Sequence, residues 1–233
     1  MAHLDIGAAK LFYEDHGGGG APVIFSHGFL MDHEMFAPQV AALASEFRCI
    51  TWDQRGHGLT EAPGDFNYWD SAADLIALMD HLDLAHASLV GMSQGGYLSL
   101  RAALAAPERV NALVLIDSQA GPEDPSLRPV YDQIIDQWVS LGPDRQIAET
   151  IATFIVAPAD PGPWIDKWMV RPARDVIPIY RALMERDDIS DRVHAIGCPA
   201  LVIHGEADGA ISSDRGELLA DLLPHCDGIL LIP

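Results

Sequence analysis

Basic residues are scarce in this chain of 233: 14 Lys and Arg stand against 34 Asp and Glu, for a formal net charge of −20. So acidic a surface repels phosphate backbones and anionic lipid headgroups, so neither a nucleic acid nor a membrane partner is expected. Cysteine is also sparse. Cys49, Cys198 and Cys226 are odd in number and widely spaced, which reads as reduced packing residues and not as a disulfide framework. No run approaches the roughly 18 uninterrupted apolar residues of a membrane span. The opening residues 1–10 lack a basic segment followed by an apolar stretch, so the expected location is cytoplasmic. Repeats of solenoid or propeller length are missing. His-Glu-x-x-His or similar ligand spacing is missing too, so no metal is expected. Oligomeric state is not legible.

What is present describes a globular protein with one substantial core: 49% of the residues are hydrophobic and 21% charged. Strand-like runs fall at 10–13, 23–25, 48–52, 88–90, 112–116, 200–203 and 229–232, and most are almost wholly apolar. Strands buried on both faces have this composition. Helical periodicity falls between them at 36–46, 68–82, 94–105 and 214–223. The alternation predicts an α/β fold, a doubly wound, mostly parallel sheet of about eight strands. The first two runs read as a hairpin-like pair joined by a flexible turn at Gly17 to Gly20.

Residues 119–196 break this rhythm. Four helical patterns, at 130–141, 145–154, 164–170 and 175–185, follow one another with no strand among them. The reading is a core of residues 1–118 and 197–233 with a helical cap, 119–196, inserted in it. Three of the five tryptophans, Trp138, Trp164 and Trp168, lie in the insertion with Tyr131, Phe154 and Tyr180. Such aromatics suit the roof of an apolar pocket, and Trp138 and Trp164 are taken as pocket candidates.

Leu89 to Gly96 reads L-V-G-M-S-Q-G-G, which sets Ser93 on a Gly-x-Ser-x-Gly turn between an apolar strand run and a helical run. Glycines at 91 and 95 permit a backbone too tight for a Cβ, so the serine hydroxyl stands at the tip of an elbow. Three other patterns accompany it: S-H-G-F at 26–29, D-Q-R-G-H-G at 53–58 and H-G-E-A-D at 204–208.

Together these four patterns resemble the α/β-hydrolase family over nearly the whole chain. The resemblance implies a serine hydrolase acting on a small-molecule acyl substrate, an ester or a relative of one, through an acyl-enzyme on Ser93 and without an organic cofactor. It implies Asp208 as the acid of the triad, with Asp117 as the rival position, and the backbone N–H groups of Phe29 and Gln94 as an oxyanion hole. In such a family His27 and His57 shape loops and do not act on substrate, while His33 is a candidate substrate contact. The base would be a histidine following the final strand. The sequence stops at Pro233, so that histidine is expected beyond it. Enol-lactonases, carbon–carbon bond hydrolases and cofactor-free haloperoxidases share these motifs, and a ligand-binding relative without the histidine is the alternative from another class. Dehalogenases and epoxide hydrolases attack with a carboxylate at this elbow, and serine at 93 disfavours their chemistry.

Overall fold

The structure is a computed structural model that describes residues 2–156 and 159–233. Eight strands form one sheet in the order β1-β2-β4-β3-β5-β6-β7-β8. Their bounds are β1 Ala2–Asp5, β2 Lys10–Asp15, β3 Pro22–Ser26, β4 Arg48–Trp52, β5 Ala87–Met92, β6 Val110–Ile116, β7 Ala200–Gly205 and β8 Cys226–Ile232. From β4 to β8 all neighbours are parallel, while β1 and β2 run antiparallel at one edge. Helices α1 (Ala37–Leu43), α2 (Tyr68–His81), α3 (Gln94–Ala105) and α8 (Ser213–Leu222) alternate with the strands.

Period-two alternation sends the strand residues into two cores. Ile24, Ile50, Leu89, Leu113 and Leu115 face α2 and α3, whereas Val23, Phe25, Cys49 and Val90 face Phe36 and Val40 beneath α1. Because both faces are buried, the strands are apolar almost throughout, and this made them readable. Toward β8 the α1 face is open, and Leu201, Leu230 and Ile232 are exposed.

Two readings are corrected. β2 does not pair with β3; it pairs antiparallel with β4, and the hairpin is β1 with β2. Nor is the glycine turn merely flexible. Gly18 has φ +105°, and a Cβ there would run into the carbonyl oxygen of Phe47, so the turn packs closely on the end of the α1 segment.

Between β6 and β7 lie four helices, α4 (Arg128–Leu141), α5 (Arg145–Ile155), α6 (Gly162–Met169) and α7 (Val176–Met184). They enclose a core of their own that contains Trp138, Ile165, Trp168 and Ile179. Long-range polar ties seat this layer on the loops after β3 and β4, the latter through Arg171 on Gly56 O. Trp168 donates its indole N–H to Leu30 O at 2.8 Å, and Lys167 reaches Asp32 and Glu34 at 2.6 and 2.8 Å.

Candidate active site

The strand order reverses around β3, and in open α/β sheets the crevice outside the carboxyl ends of the strands near such a point is where ligands bind. Here β3, β5, β6, β7 and β8 are successive parallel neighbours, and Phe29, Ser93, Asp117, Asp208 and Pro233 follow their carboxyl ends in that order. Main-chain bonds extend the ladder past the strands: Ser93 N–H donates to Ile116 O, Asp117 N–H to Ile203 O, and Glu206 N–H to Ile232 O, at 2.8–2.9 Å. All five residues line one cavity of about 260 Å³.

Ser93 is held at φ 51°, ψ −115°, a conformation costing on the order of 1–3 kcal/mol that persists only where its surroundings over-determine it. They do so here. Its N–H is bonded to β6, and its carbonyl accepts from Gly96 N–H, Tyr97 N–H and the Ser118 hydroxyl. The turn is so close to β3 that a Cβ on Gly95 would collide with the carbonyl oxygen of Ser26.

Asp208 accepts the N–H groups of Ala210 and Ile211 on a single oxygen, at 2.7 and 3.0 Å, and its other oxygen lies 3.6 Å from His204 Nε2. Burial pushes its carboxyl up from the usual range, although those N–H bonds oppose the shift; the neighbouring Asp117 adds to it. Asp117 accepts Gly205 N–H at 2.8 Å. His204 is fully buried and its Nε2 donates to Ile211 O at 2.8 Å, so it braces the loop that carries Asp208.

The N–H groups of Phe29 and Gln94 meet no acceptor among the described residues, and Phe29 shares the cavity wall with Ser93. The Gln94 side chain is buried away from that cavity. Its amide donates to Gly28 O and to His57 Nε2, and its carbonyl oxygen accepts from Tyr68. Any contribution from Gln94 therefore comes through its main chain, at the start of a helix where free N–H groups and the dipole favour an anion.

His27 and His57 are fully buried beside each other, with ring centroids 4.8 Å apart. Each donates from Nδ1 to a backbone carbonyl, and each Nε2 accepts, from Gln54 N–H and the Gln94 amide respectively. Burial holds both imidazoles below their ordinary value, His57 far below it. The unfolded chain therefore binds protons near pH 6.5 that the folded protein refuses. The stability from this pair is complete above pH 6.5 and is lost as pH falls below it, by up to about 1.4 kcal/mol per pH unit per histidine. In thermal unfolding between pH 8 and 5, His57→Gln should show a shallower loss of Tm below pH 6.5 than the parent. Equal slopes would mean that His57 is protonated within the fold. His33 works in the opposite sense: burial lowers it, but Asp53, with Asp32 and Glu14, outweighs burial and raises it, so its contribution fades as pH rises above 6.5.

Three expected pocket residues lie elsewhere. His33 bonds through its main-chain N–H and Nδ1 to Asp53, at 2.7 and 2.9 Å, and borders a separate groove that Ser93 does not reach. Trp138 is buried inside the four-helix layer, and Trp164 packs at its edge with Lys167 above its ring; neither lines a cavity with Ser93. A tryptophan is large enough to seal a small helical core, and here the layer's own packing takes them. What does adjoin Ser93 beneath the helices is a second, narrower cavity of about 80 Å³, lined by Tyr97, Glu123, Tyr131, Ile151, Phe154 and Tyr180 among others. Of these, Tyr131, Phe154 and Tyr180 stood among the noted aromatics, whereas Glu123 was not singled out.

Two groups, Asp117/His204/Asp208 and Asp32/His33/Asp53, bring possible metal-ligand atoms within 4.8 Å of one another. In both, histidine and carboxylate atoms are engaged in the hydrogen bonds just described, and Asp32 also takes Lys167. Those bonds brace the loops after β3, β4 and β7 and leave one oxygen each of Asp117 and Asp208 without a hydrogen bond among the described residues.

Residues 21–231 match the family described as alpha/beta hydrolase fold. The chain belongs to the α/β-hydrolase family. Among its relatives is RutD of Caulobacter vibrioides, named as a carbamate hydrolase, which is 30% identical over 97% of this chain and 89% of that protein. A thermophilic esterase from Thermogutta terrifontis superposes with a TM-score of 0.84 at 30% identity, covering 97% of this chain and 85% of the esterase. The enol-lactonase of Burkholderia xenovorans superposes with a TM-score of 0.88 at 25% identity, covering 99% and 90%. This α/β-hydrolase is thus a hydrolase by kinship, with relatives named for different acyl substrates. Among the described residues no helix is long and apolar enough to cross a membrane.

Proposed function

We propose that this protein cleaves a small ester or related acyl compound through an acyl-enzyme on Ser93. The carrying observation is the cavity of about 260 Å³ whose wall Ser93 shares with both Asp117 and Asp208. Serine is almost wholly protonated at neutral pH and needs an adjacent base. Among the described residues no histidine lines either cavity that Ser93 adjoins. The mechanism therefore needs an imidazole base that the residues lining these two cavities do not supply.

In this reading Ser93 Oγ attacks the acyl carbon as its proton passes to the imidazole. The developing oxyanion is held by the N–H groups of Phe29 and Gln94, each worth roughly 3 kcal/mol if well aimed. Collapse breaks the carbonyl–oxygen bond, the imidazolium protonates the leaving alcohol, and water repeats the sequence to release the acid. Asp208 orients and stabilises the imidazolium. Four helices, α4 to α7, act as the cap over the acyl group. Enol-lactones and carbamates, named for relatives, would use the same machinery. Three free cysteines support a cytoplasmic setting. Incubation of the full chain with a fluorophosphonate, followed by peptide mass analysis, should place one adduct on Ser93. An unlabelled Ser93 would favour a ligand-binding protein.

A further inference from the structure

We infer that Glu123 sets the substrate class of this site, selecting acyl groups that carry a neutral hydrogen-bond donor, a hydroxyl or carboxamide, beyond an apolar stretch. The inference rests on the hydrolase reading of Ser93. From Ser93 the cavity of about 80 Å³ passes between apolar side chains such as Ile135, Ile151, Phe154 and Leu183, and Glu123 is the one charged residue on its wall among the described residues.

That carboxylate is fixed in place. Its Oε2 accepts from Arg186 Nη1 at 3.0 Å, and the Glu123 side chain is one-tenth exposed. Arg186 is itself buried, bonded to Gly121 O and Leu183 O and stacked 4.3 Å over the Tyr97 ring. Oε1 of Glu123 accepts from no donor among the described residues. Oε1 is not among the fully buried atoms, so it is open to a donor from the cavity, and a ligand that displaces its solvent without supplying a donor leaves it unpaired at a cost. Tyr180, on the same wall, donates to Asp132 at 2.5 Å, and Glu123 is the carboxylate that the wall presents.

Charge decides what kind of donor fits. Arg186 neutralises Glu123, so an ammonium would lose its hydration with little net attraction in return. An anionic tail would meet a carboxylate. A hydroxyl or carboxamide satisfies Oε1 without bringing charge, and an alkyl chain leaves it open.

The test compares p-nitrophenyl 6-hydroxyhexanoate with p-nitrophenyl heptanoate, which differ by hydroxyl against methyl. The full chain should favour the hydroxylated ester by about tenfold or more in kcat/KM. Because Glu123→Leu alone strands a buried guanidinium, the informative variant is Glu123→Leu with Arg186→Met, which removes the pair together. Its preference should fall to parity or reverse. A parent with no preference, or a double variant that keeps it, would overturn the inference. Calorimetric affinities for 6-hydroxyhexanamide and heptanamide read the same preference without turnover. Selective amide binding by an inert protein would sink the hydrolase reading and spare Glu123. Turnover with unselective binding would do the reverse.

Discussion

Replacing Ser93 by Ala should lower kcat/KM for p-nitrophenyl acetate by roughly four to six orders of magnitude, because removing the nucleophile abolishes the covalent path and leaves only the oxyanion donors and binding. The same change should leave Tm nearly where it was. The elbow is held by main-chain bonds to Ile116, Gly96 and Tyr97, by the Ser118 hydroxyl and by the close approach of Gly95 to β3; the Ser93 hydroxyl takes no part in these. Alanine tolerates the φ of 51° about as well as serine does. The pair of readouts separates chemistry from folding. A variant that keeps its Tm and most of its turnover would remove Ser93 from the mechanism, while one that loses both would show only that the elbow had collapsed and would call for Ser93→Gly as the replacement.

The elbow was legible before the structure because its requirement is local: a strand, a forced turn and a helix leave glycines at fixed offsets around one polar residue. The parallel strands were legible because burial on both faces strips them of polar residues. Pairing was not. Adjacency in sequence suggested β2 with β3, but β4 lies between them, and only the partner of each edge could say so. β1 escaped notice since its alternating, half-exposed A-H-L-D carries a single large apolar residue.

The roof of the pocket failed for a related reason. Which face of each helix from α4 to α7 looks toward Ser93 depends on how the four helices dock, and docking is decided by contacts far apart in the chain, such as Trp168 with Leu30 and Lys167 with Asp32. Bulk alone pointed to Trp138 and Trp164, yet bulk is also what a small helical core requires. Glu123 gave no local signal at all. In G-P-E-D it reads as one more exposed loop acid, and its burial follows from Arg186, 63 residues later. The positions of Asp117 and Asp208 were legible as strand-end acids, but their rivalry was not resolved by the residues themselves.

That rivalry is open to direct measurement, and the proposed mechanism states which way it should fall. Each aspartate spends one oxygen on the main chain and keeps the other free of it: Asp208 holds the N–H groups of Ala210 and Ile211, and Asp117, at φ 45°, holds that of Gly205 at the end of β7. Asn at 208 can retain both N–H bonds through its carbonyl oxygen, so the loop from 205 to 211, braced independently by His204, should keep its shape. What it cannot retain is the charge that stabilises an imidazolium, nor a second acceptor for the ring N–H. Asp208→Asn should therefore cost about three to four orders of magnitude in kcat with the fold intact, and Asp117→Asn no more than about tenfold. Fluorophosphonate labelling should slow in parallel with kcat, since both depend on the same activated hydroxyl. If the ranking is reversed, the acid is Asp117, and Asp208 is the neighbour whose carboxyl burial raises.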